Sequence, residues 1–502
     1  MYVYCLSMAR LQTATCLAEC ARVFAEDRPR VAGVLQGAAY AAFRRASPAS
    51  DGTRRPDTAS VDPDANFLLA ALRETGDIVA ARRVDESLTV VIVGCQYTEG
   101  GAAPLVVVHT PHRFGCHHFR MGDDGGFPVG YHNLHPDVTL NFQLNRFWNW
   151  VGESQMLEEL RRVAPSLRDY AEWTRELLTL GERALGQSRM LPGAYLIRAG
   201  AFFMSADDPR RRGARRTFLD TVLREFGVGA DQHHDVAYFG RVLSAYRLTP
   251  ASPPRGVIVV FGGFDSYIEE WLPMLLALRD AGQDVIAFDG PGQGAALEAG
   301  LPMTADWHKP VAAVLDHFGV DDVTLMGFSL GGCLVMRAAA FEPRVSRVIA
   351  DDILTNFTAC FAYRLAAPQK ALIGNAHRLP AAVVDALINQ ARDRNMFADW
   401  GIGNAEYVFG VDTPAKALSA VRGMRTDDVS PRITQDVLLM AGAEDHYVPL
   451  GQLGAQIQRL TNARSVTARV FTRAESAQNH CQIGNLGLAL RVILAWLGEV
   501  GG

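Results

Sequence analysis

No stretch of this 502-residue chain supplies the roughly 18–20 consecutive apolar residues that a bilayer-crossing helix needs, so no membrane role is expected. Cysteine is scarce. Five of the eight lie early (Cys5, Cys16, Cys20, Cys95 and Cys116), and Cys333, Cys360 and Cys481 are far apart. That spacing makes no dense disulfide framework, and a reducing cytoplasm is the expected compartment. The N-terminus lacks a signal-peptide pattern, because Arg10 and Glu19 interrupt its apolar residues and no basic segment precedes them. Positive charge is in short supply too: 49 Lys and Arg against 54 Asp and Glu give a net charge of −5, with no basic stripe. Nucleic acid is therefore not an expected partner. Gly290-Pro-Gly-Gln-Gly294 resembles a phosphate loop only superficially, since it has neither a following Lys-Ser/Thr nor the G-x-G-x-x-G spacing. What remains is 49% hydrophobic and 21% charged, a globular composition with room for two or three domains.

Taken in order, residues 1–120 fit the rest poorly and read as an N-terminal extension. Met8–Phe43 suits Ala-rich helices, Ala46–Ala65 suits a disordered link, and Ser87–Cys95 and Pro104–Thr110 suit two strands. His109, His112, Cys116, His117 and His118 are ligand types for zinc. Their spacing matches no common finger and the second cluster is too compressed for a tetrahedron, so no metal and no cofactor are expected. Residues 121–250 read as a helical domain, with helices over Ser154–Val163, Leu167–Leu185, Leu191–Met204 and Arg215–Phe226.

From Pro253 the grammar changes. Val257–Phe261, Asp284–Asp289, Val323–Met326, Ser346–Asp352, Asp436–Ala441 and Ser465–Phe471 read as buried strands alternating with helices, which implies a mostly parallel α/β sheet over 251–502. Residues 353–432 interrupt the alternation with several helices and the aromatics Trp400, Tyr407 and Phe409. An insertion there leaves the sheet at its carboxyl edge and is expected to form a lid. The competing reading is a surface for a homodimer.

Gly327-Phe328-Ser329-Leu330-Gly331 falls between the strand at Val323–Met326 and the helix at Cys333–Ala340. A strand–turn–helix setting is what gives G-x-S-x-G chemical meaning: the turn lifts the Ser hydroxyl above the sheet edge, and glycine two residues either side avoids a collision. A Ser hydroxyl needs a base, and the base needs an orienting acid. Asp445, just past the strand Asp436–Ala441, is assigned as the acid, with Glu444 as its competitor. His480, just past the last strand, is assigned as the base, because His446 shares the acid's own loop. The developing oxyanion needs two N–H donors. Leu330 should give one, and Gly263 or Phe264, in the loop after Val257–Phe261, the other. The helical segments that wall this site are apolar and aromatic, so the expected partner is a mid-sized apolar carbonyl compound. A non-catalytic binding protein on the same scaffold is the reading from a different class.

Phe288-Asp-Gly-Pro-Gly-Gln-Gly294, Gly327-Phe-Ser-Leu-Gly-Gly332, Val408-Phe-Gly-Val-Asp-Thr-Pro414 and His480-Cys-Gln-Ile-Gly-Asn485 together resemble α/β-hydrolases of one group. It is the group of the fermentation–respiration switch esterase, dihydroxypseudooxynicotine hydrolase and a fungal polyketide-shortening hydrolase. The resemblance covers Leu140 to the C-terminus, and the segment before the core resembles the group's helical domain. It implies an α/β-hydrolase fold with the family's Ser, Asp and His at Ser329, Asp445 and His480. It also implies cleavage of an ester through an acyl-enzyme or, as the alternative, of a carbon–carbon bond beside a ketone. Some carbon–carbon hydrolases of the group use an additional acidic residue, which no motif places in this chain.

Overall fold

The computed structural model describes residues 126–500, together with strands β1 (Leu6–Ser7), β2 (Ile78–Val84), β3 (Ser87–Gly94), β4 (Leu105–His109) and β5 (Arg113–His118). The expected helices within Met8–Phe43, the Ala46–Ala65 link and the side chains of the His109–His118 cluster lie outside the described residues. The two strands expected before residue 110 are present as β3 and β4, and they pair antiparallel at Val93 and Val106.

Eight strands between residues 233 and 471 carry the core. These are β6 (His233–Tyr238), β7 (Arg241–Leu248), β8 (Gly256–Phe261), β9 (Gln283–Phe288), β10 (Val323–Phe328), β11 (Val345–Asp351), β12 (Asp436–Gly442) and β13 (Ser465–Phe471). Their spatial order is β13-β12-β11-β10-β8-β9-β7-β6. The run from β13 to β9 is parallel throughout, while β7 and β6 add antiparallel at the far edge. Parallel strands covered on both faces are apolar on both. Ile258 and Val260 belong to the core on one face, and Val259 and Phe261 to the core on the other.

The helical segment ends sooner than its sequence suggests. It contains α1 (Val138–Asn149), α2 (Ser154–Val163), α3 (Tyr170–Gly186), α4 (Met190–Ala201) and α5 (Arg210–Glu225). Residues 233–248, read as helical from the sequence, form the β6–β7 hairpin instead. The turn is Phe239-Gly240, with φ of 44° and 73°, the geometry of a two-residue hairpin that matches strand twist. β6 is an edge strand with only Val236 buried, so its apolar signal was too weak to read. A side-chain cap starts α1: Asp137 accepts from Thr139 N at 2.9 Å and Leu140 N at 3.0 Å.

Core helices α6 (Leu272–Asp280), α7 (Gly294–Glu298), α8 (His308–Phe318) and α9 (Gly331–Ala339) follow. The insertion between β11 and β12 holds five: α10 (Phe357–Ala362), α11 (Ala367–Asn375), α12 (Ala381–Arg392), α13 (Met396–Phe409) and α14 (Pro414–Gly423). Sequence pattern marks three of them, around Phe357–Leu365, Pro380–Arg392 and Pro414–Val421. It misses α11, with one buried side chain, and α13, which has apolar residues on most of its faces. Ile373, Val384, Ile388, Ile402 and Leu418 give the insertion a small core of its own. After α15 (Gly451–Arg459), the closing helix α16 runs Leu486–Val500. The sequence pattern suggests a closing helix over Cys481–Leu497, but it cannot begin at Cys481, because Cys481 and Gln482 have φ of 47° and 51° in the tight turn that carries His480. Among the described residues no single helix is long and apolar enough to cross a membrane.

Candidate active site

Ser329 sits at the end of β10 with φ 60°, in the left-handed region, and its N–H donates to Asp351 O at 2.7 Å. The turn leaves no room for side chains beside it. A Cβ on Gly327 would lie 2.2 Å from Gly331 O, and one on Gly331 would lie 2.7 Å from Gly262 O. Both glycines of the G-x-S-x-G are therefore required by contact, not only by conformation.

Ser329 Oγ lies 2.8 Å from His480 Nε2, and His480 Nδ1 lies 2.6 Å from Asp445 Oδ2. The other Asp445 oxygen accepts from Tyr447 N at 2.7 Å and Val448 N at 2.9 Å, which fixes the carboxylate toward the ring. The alternatives weighed from sequence lie elsewhere. Glu444 pairs with Arg473 at the surface. His446 packs on Phe142 and Tyr447, and burial pushes its pKa down to about 3. Burial is the largest influence on His480 and opposes its charge, but the negative charge of Asp445 and the hydrogen bonds to Asp352 and Asp445 act with the neighbouring Cys481 to outweigh it and hold the imidazole well above its ordinary value. Asp445 is buried as well, yet the His480 charge and hydrogen bond keep its pKa below the usual carboxylate value.

A second carboxylate reaches the same imidazole. Asp352 Oδ2 is 3.2 Å from His480 Nδ1 and accepts from Cys481 N at 2.6 Å, and its Oδ1 accepts from Gln482 Nε2 at 3.0 Å. Burial pushes Asp352 up to about 6, with the Asp445 charge adding to the rise and His480 opposing it. In the sequence Asp352 reads only as the end of the strand Ser346–Asp352. The signal was available, because a carboxylate at the carboxyl edge beside the nucleophile's strand meets the same criterion that selected Asp445. Asp352, His480 and Cys481 also bring ligand-type atoms within 4.8 Å of one another. The His480 and Asp352 atoms are already engaged in the hydrogen bonds just described.

The loop after β8 lies against the nucleophile turn. A Cβ on Gly263 would sit 2.9 Å from Leu330 N and 3.1 Å from Ser329 Cβ, so only glycine allows this approach. Gln293 Nε2 pins the loop by donating to Gly262 O at 2.7 Å and Gly263 O at 3.1 Å. Among the described residues, no backbone hydrogen bond takes up the N–H of Gly263, Phe264 or Leu330.

Helix α1 closes the site from the helical segment. Phe142 packs against His446, Tyr447 and His480, and Gln143 Nε2 donates to Tyr447 Oη at 3.3 Å. Behind them Arg146 donates to Asp265 at 3.1 Å and Glu270 at 2.7 Å, and Arg198 pairs with Glu270 at 2.5 Å. The insertion meets the same loops. Phe357 and Phe361 pack on Phe264, Asn404 Nδ2 donates to Phe264 O at 3.3 Å, and Trp400 stacks on Phe202 at 5.3 Å. Phe397 lies over Tyr447 at 6.3 Å.

A family model described as alpha/beta hydrolase fold matches residues 256–374. The hydrolase LUC6 of Fusarium sp. is 30% identical over 424 residues, which is 74% of this chain and 98% of that protein. The hydrolyase poxO of Penicillium oxalicum is 27% identical over 266 residues, which is 48% of this chain and 63% of that protein. The chain thus matches less than two thirds of the length of that relative. The solved structure of 2,6-dihydroxy-pseudo-oxynicotine hydrolase is 23% identical, covering 72% of this chain and 95% of that one, with a TM-score of 0.50. That likeness is one of fold.

Proposed function

Because the chain belongs to the α/β-hydrolase family, we propose that it is a serine hydrolase that cleaves an ester, or a similar carbonyl-linked small metabolite, through an acyl-enzyme on Ser329. The observation that carries this reading is the continuous pair of contacts, Ser329 Oγ to His480 Nε2 at 2.8 Å and His480 Nδ1 to Asp445 at 2.6 Å. In this mechanism His480 takes the Ser329 proton as Oγ attacks the carbonyl, and Asp445 holds the tautomer and stabilises the imidazolium. The Leu330 N–H and one from Gly263 or Phe264 receive the oxyanion. His480 then protonates the leaving group, and water repeats the sequence to release the acid. Incubation with a small fluorophosphonate, followed by peptide mass analysis, tests the assignment. The expected adduct is on Ser329, and a folded protein that gains none supports the binding-protein reading instead.

Asp352 favours carbon–carbon bond hydrolysis as a second reading. A ketone-derived leaving group is a carbanion equivalent, and a second carboxylate on His480 stabilises the imidazolium that must protonate it. Replacing Asp352 by Asn should slow 1,3-diketone cleavage roughly tenfold more than aryl ester hydrolysis. Equal losses on both would leave esters as the reading. The pH profile carries the same information. His480 must be neutral to act as base, so kcat/KM should fall toward acid with an apparent pKa above the ~6.5 of free imidazole. Removing the Asp352 charge destabilises the imidazolium, so the Asn variant should move that midpoint to lower pH. A midpoint that stayed put would remove Asp352 from the chemistry.

The insertion acts as a lid in this account. Trp400, held on Phe202, shapes access, and its replacement by Ala should raise KM for a bulky aryl ester about tenfold. Fluorophosphonate labelling should be unchanged. Unaltered kinetics together with dissociation of a homodimer would make the insertion an interface.

A further inference from the structure

Beside the loop after β8 lies a narrow cleft, open to solvent, with about 30 Å³ of space for the centres of water-sized groups. Its walls come from three places: Arg198, Phe202 and Arg211 from the helical segment, Phe264–Tyr267 from the core, and Trp400 and Asn404 from the insertion. Ser329 and His480 do not line it. Phe264 does, and the Phe264 N–H is a candidate oxyanion donor, so this residue links the cleft to the loop that lies against Ser329 and Leu330.

Most charges around the cleft are paired, Arg215 with Glu298 among them. Arg146 and Arg198 face Glu270 and Asp265, two cations against two carboxylates. Arg211 also lines the cleft and has no carboxylate partner among the described residues. Its guanidinium lies over the Tyr407 ring at 4.8 Å and makes one long hydrogen bond to Met204 O at 3.4 Å. A guanidinium held on an aromatic ring with donors to spare is suited to a planar anion, which it binds through two parallel hydrogen bonds.

We propose that this cleft is the subsite for the remote end of the substrate, and that Arg211 selects a carboxylate or other planar anion there. The proposal rests on Ser329 being the nucleophile, and it narrows the substrate to an apolar carbonyl compound with an acidic group at its far end.

The test uses the full chain and 4-nitrophenyl hydrogen glutarate, adipate and pimelate, each against the neutral ester of equal chain length. The wild type should prefer the acid ester at one of the three lengths. Arg211→Gln should raise KM for that ester roughly tenfold and leave the neutral ester within about twofold, as expected for loss of one charged hydrogen-bonding partner. Arg211→Lys should keep part of the preference, and Arg211→Glu should reverse it. No acid preference at any length, or equal losses on acid and neutral esters, would overturn the subsite. If the wild type cleaves neither ester class, calorimetry of glutarate, adipate and pimelate decides independently of the serine assignment. Binding that weakens about tenfold in Arg211→Gln supports the subsite, and no binding to the wild type overturns it.

Discussion

Replacing Ser329 by Ala will lower kcat by about four or more orders of magnitude and leave the fold intact. The size of the loss follows from the role. In the proposed mechanism no covalent intermediate forms without Oγ, and only binding and the oxyanion donors remain to act on a water molecule. The fold should survive because Ser329 is held by its backbone: its N–H donates to Asp351 O and its carbonyl accepts from Gly332 N at 2.8 Å. Alanine keeps both bonds and keeps the Cβ that the turn already accommodates at φ 60°. Turnover within tenfold of wild type on any substrate would place the nucleophile elsewhere.

The residues that face one another here were legible for a simple reason. Ser329, Asp445 and His480 lie at the ends of short buried strands, and a parallel sheet brings all such ends to one edge. Order along the chain then nearly dictates proximity. Asp352 obeys the same rule and was missed only because it read as the last residue of its strand. The remaining neighbours were not legible. Phe142, Gln143 and Arg146 reach the site because α1 docks against it, and no local pattern encodes where a helix docks. The β6–β7 hairpin was hidden by exposure: a strand with one buried side chain has little periodicity to read.

Glu270→Ala should lower stability by about 3–5 kcal/mol. The Glu270 side chain is 0% exposed and receives Arg146 at 2.7 Å and Arg198 at 2.5 Å. Those arginines come from α1 and α4, whereas Glu270 belongs to the core, so one carboxylate joins the helical segment to the sheet. Removing it leaves two buried cations against Asp265 alone, which cannot neutralise both. One further group loses its partner, since Glu270 Oε1 also accepts from Tyr267 N at 3.2 Å. Glu270→Gln keeps the shape and should lose less. Urea unfolding of both variants measures this, and a change below about 1 kcal/mol for Glu270→Ala would mean the two units hold together by apolar packing. Because Arg146 also holds Asp265, the Ala variant should disturb the loop that carries Phe264 and slow labelling of Ser329.

The most direct test of the central claim is the mass of the protein itself during turnover. The wild type is mixed with a slow aryl ester, quenched in acid within the first turnovers and digested. The account predicts a peptide containing Ser329 heavier by the acyl group of the ester, absent from Ser329→Ala. Turnover with no acyl adduct, or an adduct on any other residue, would contradict it.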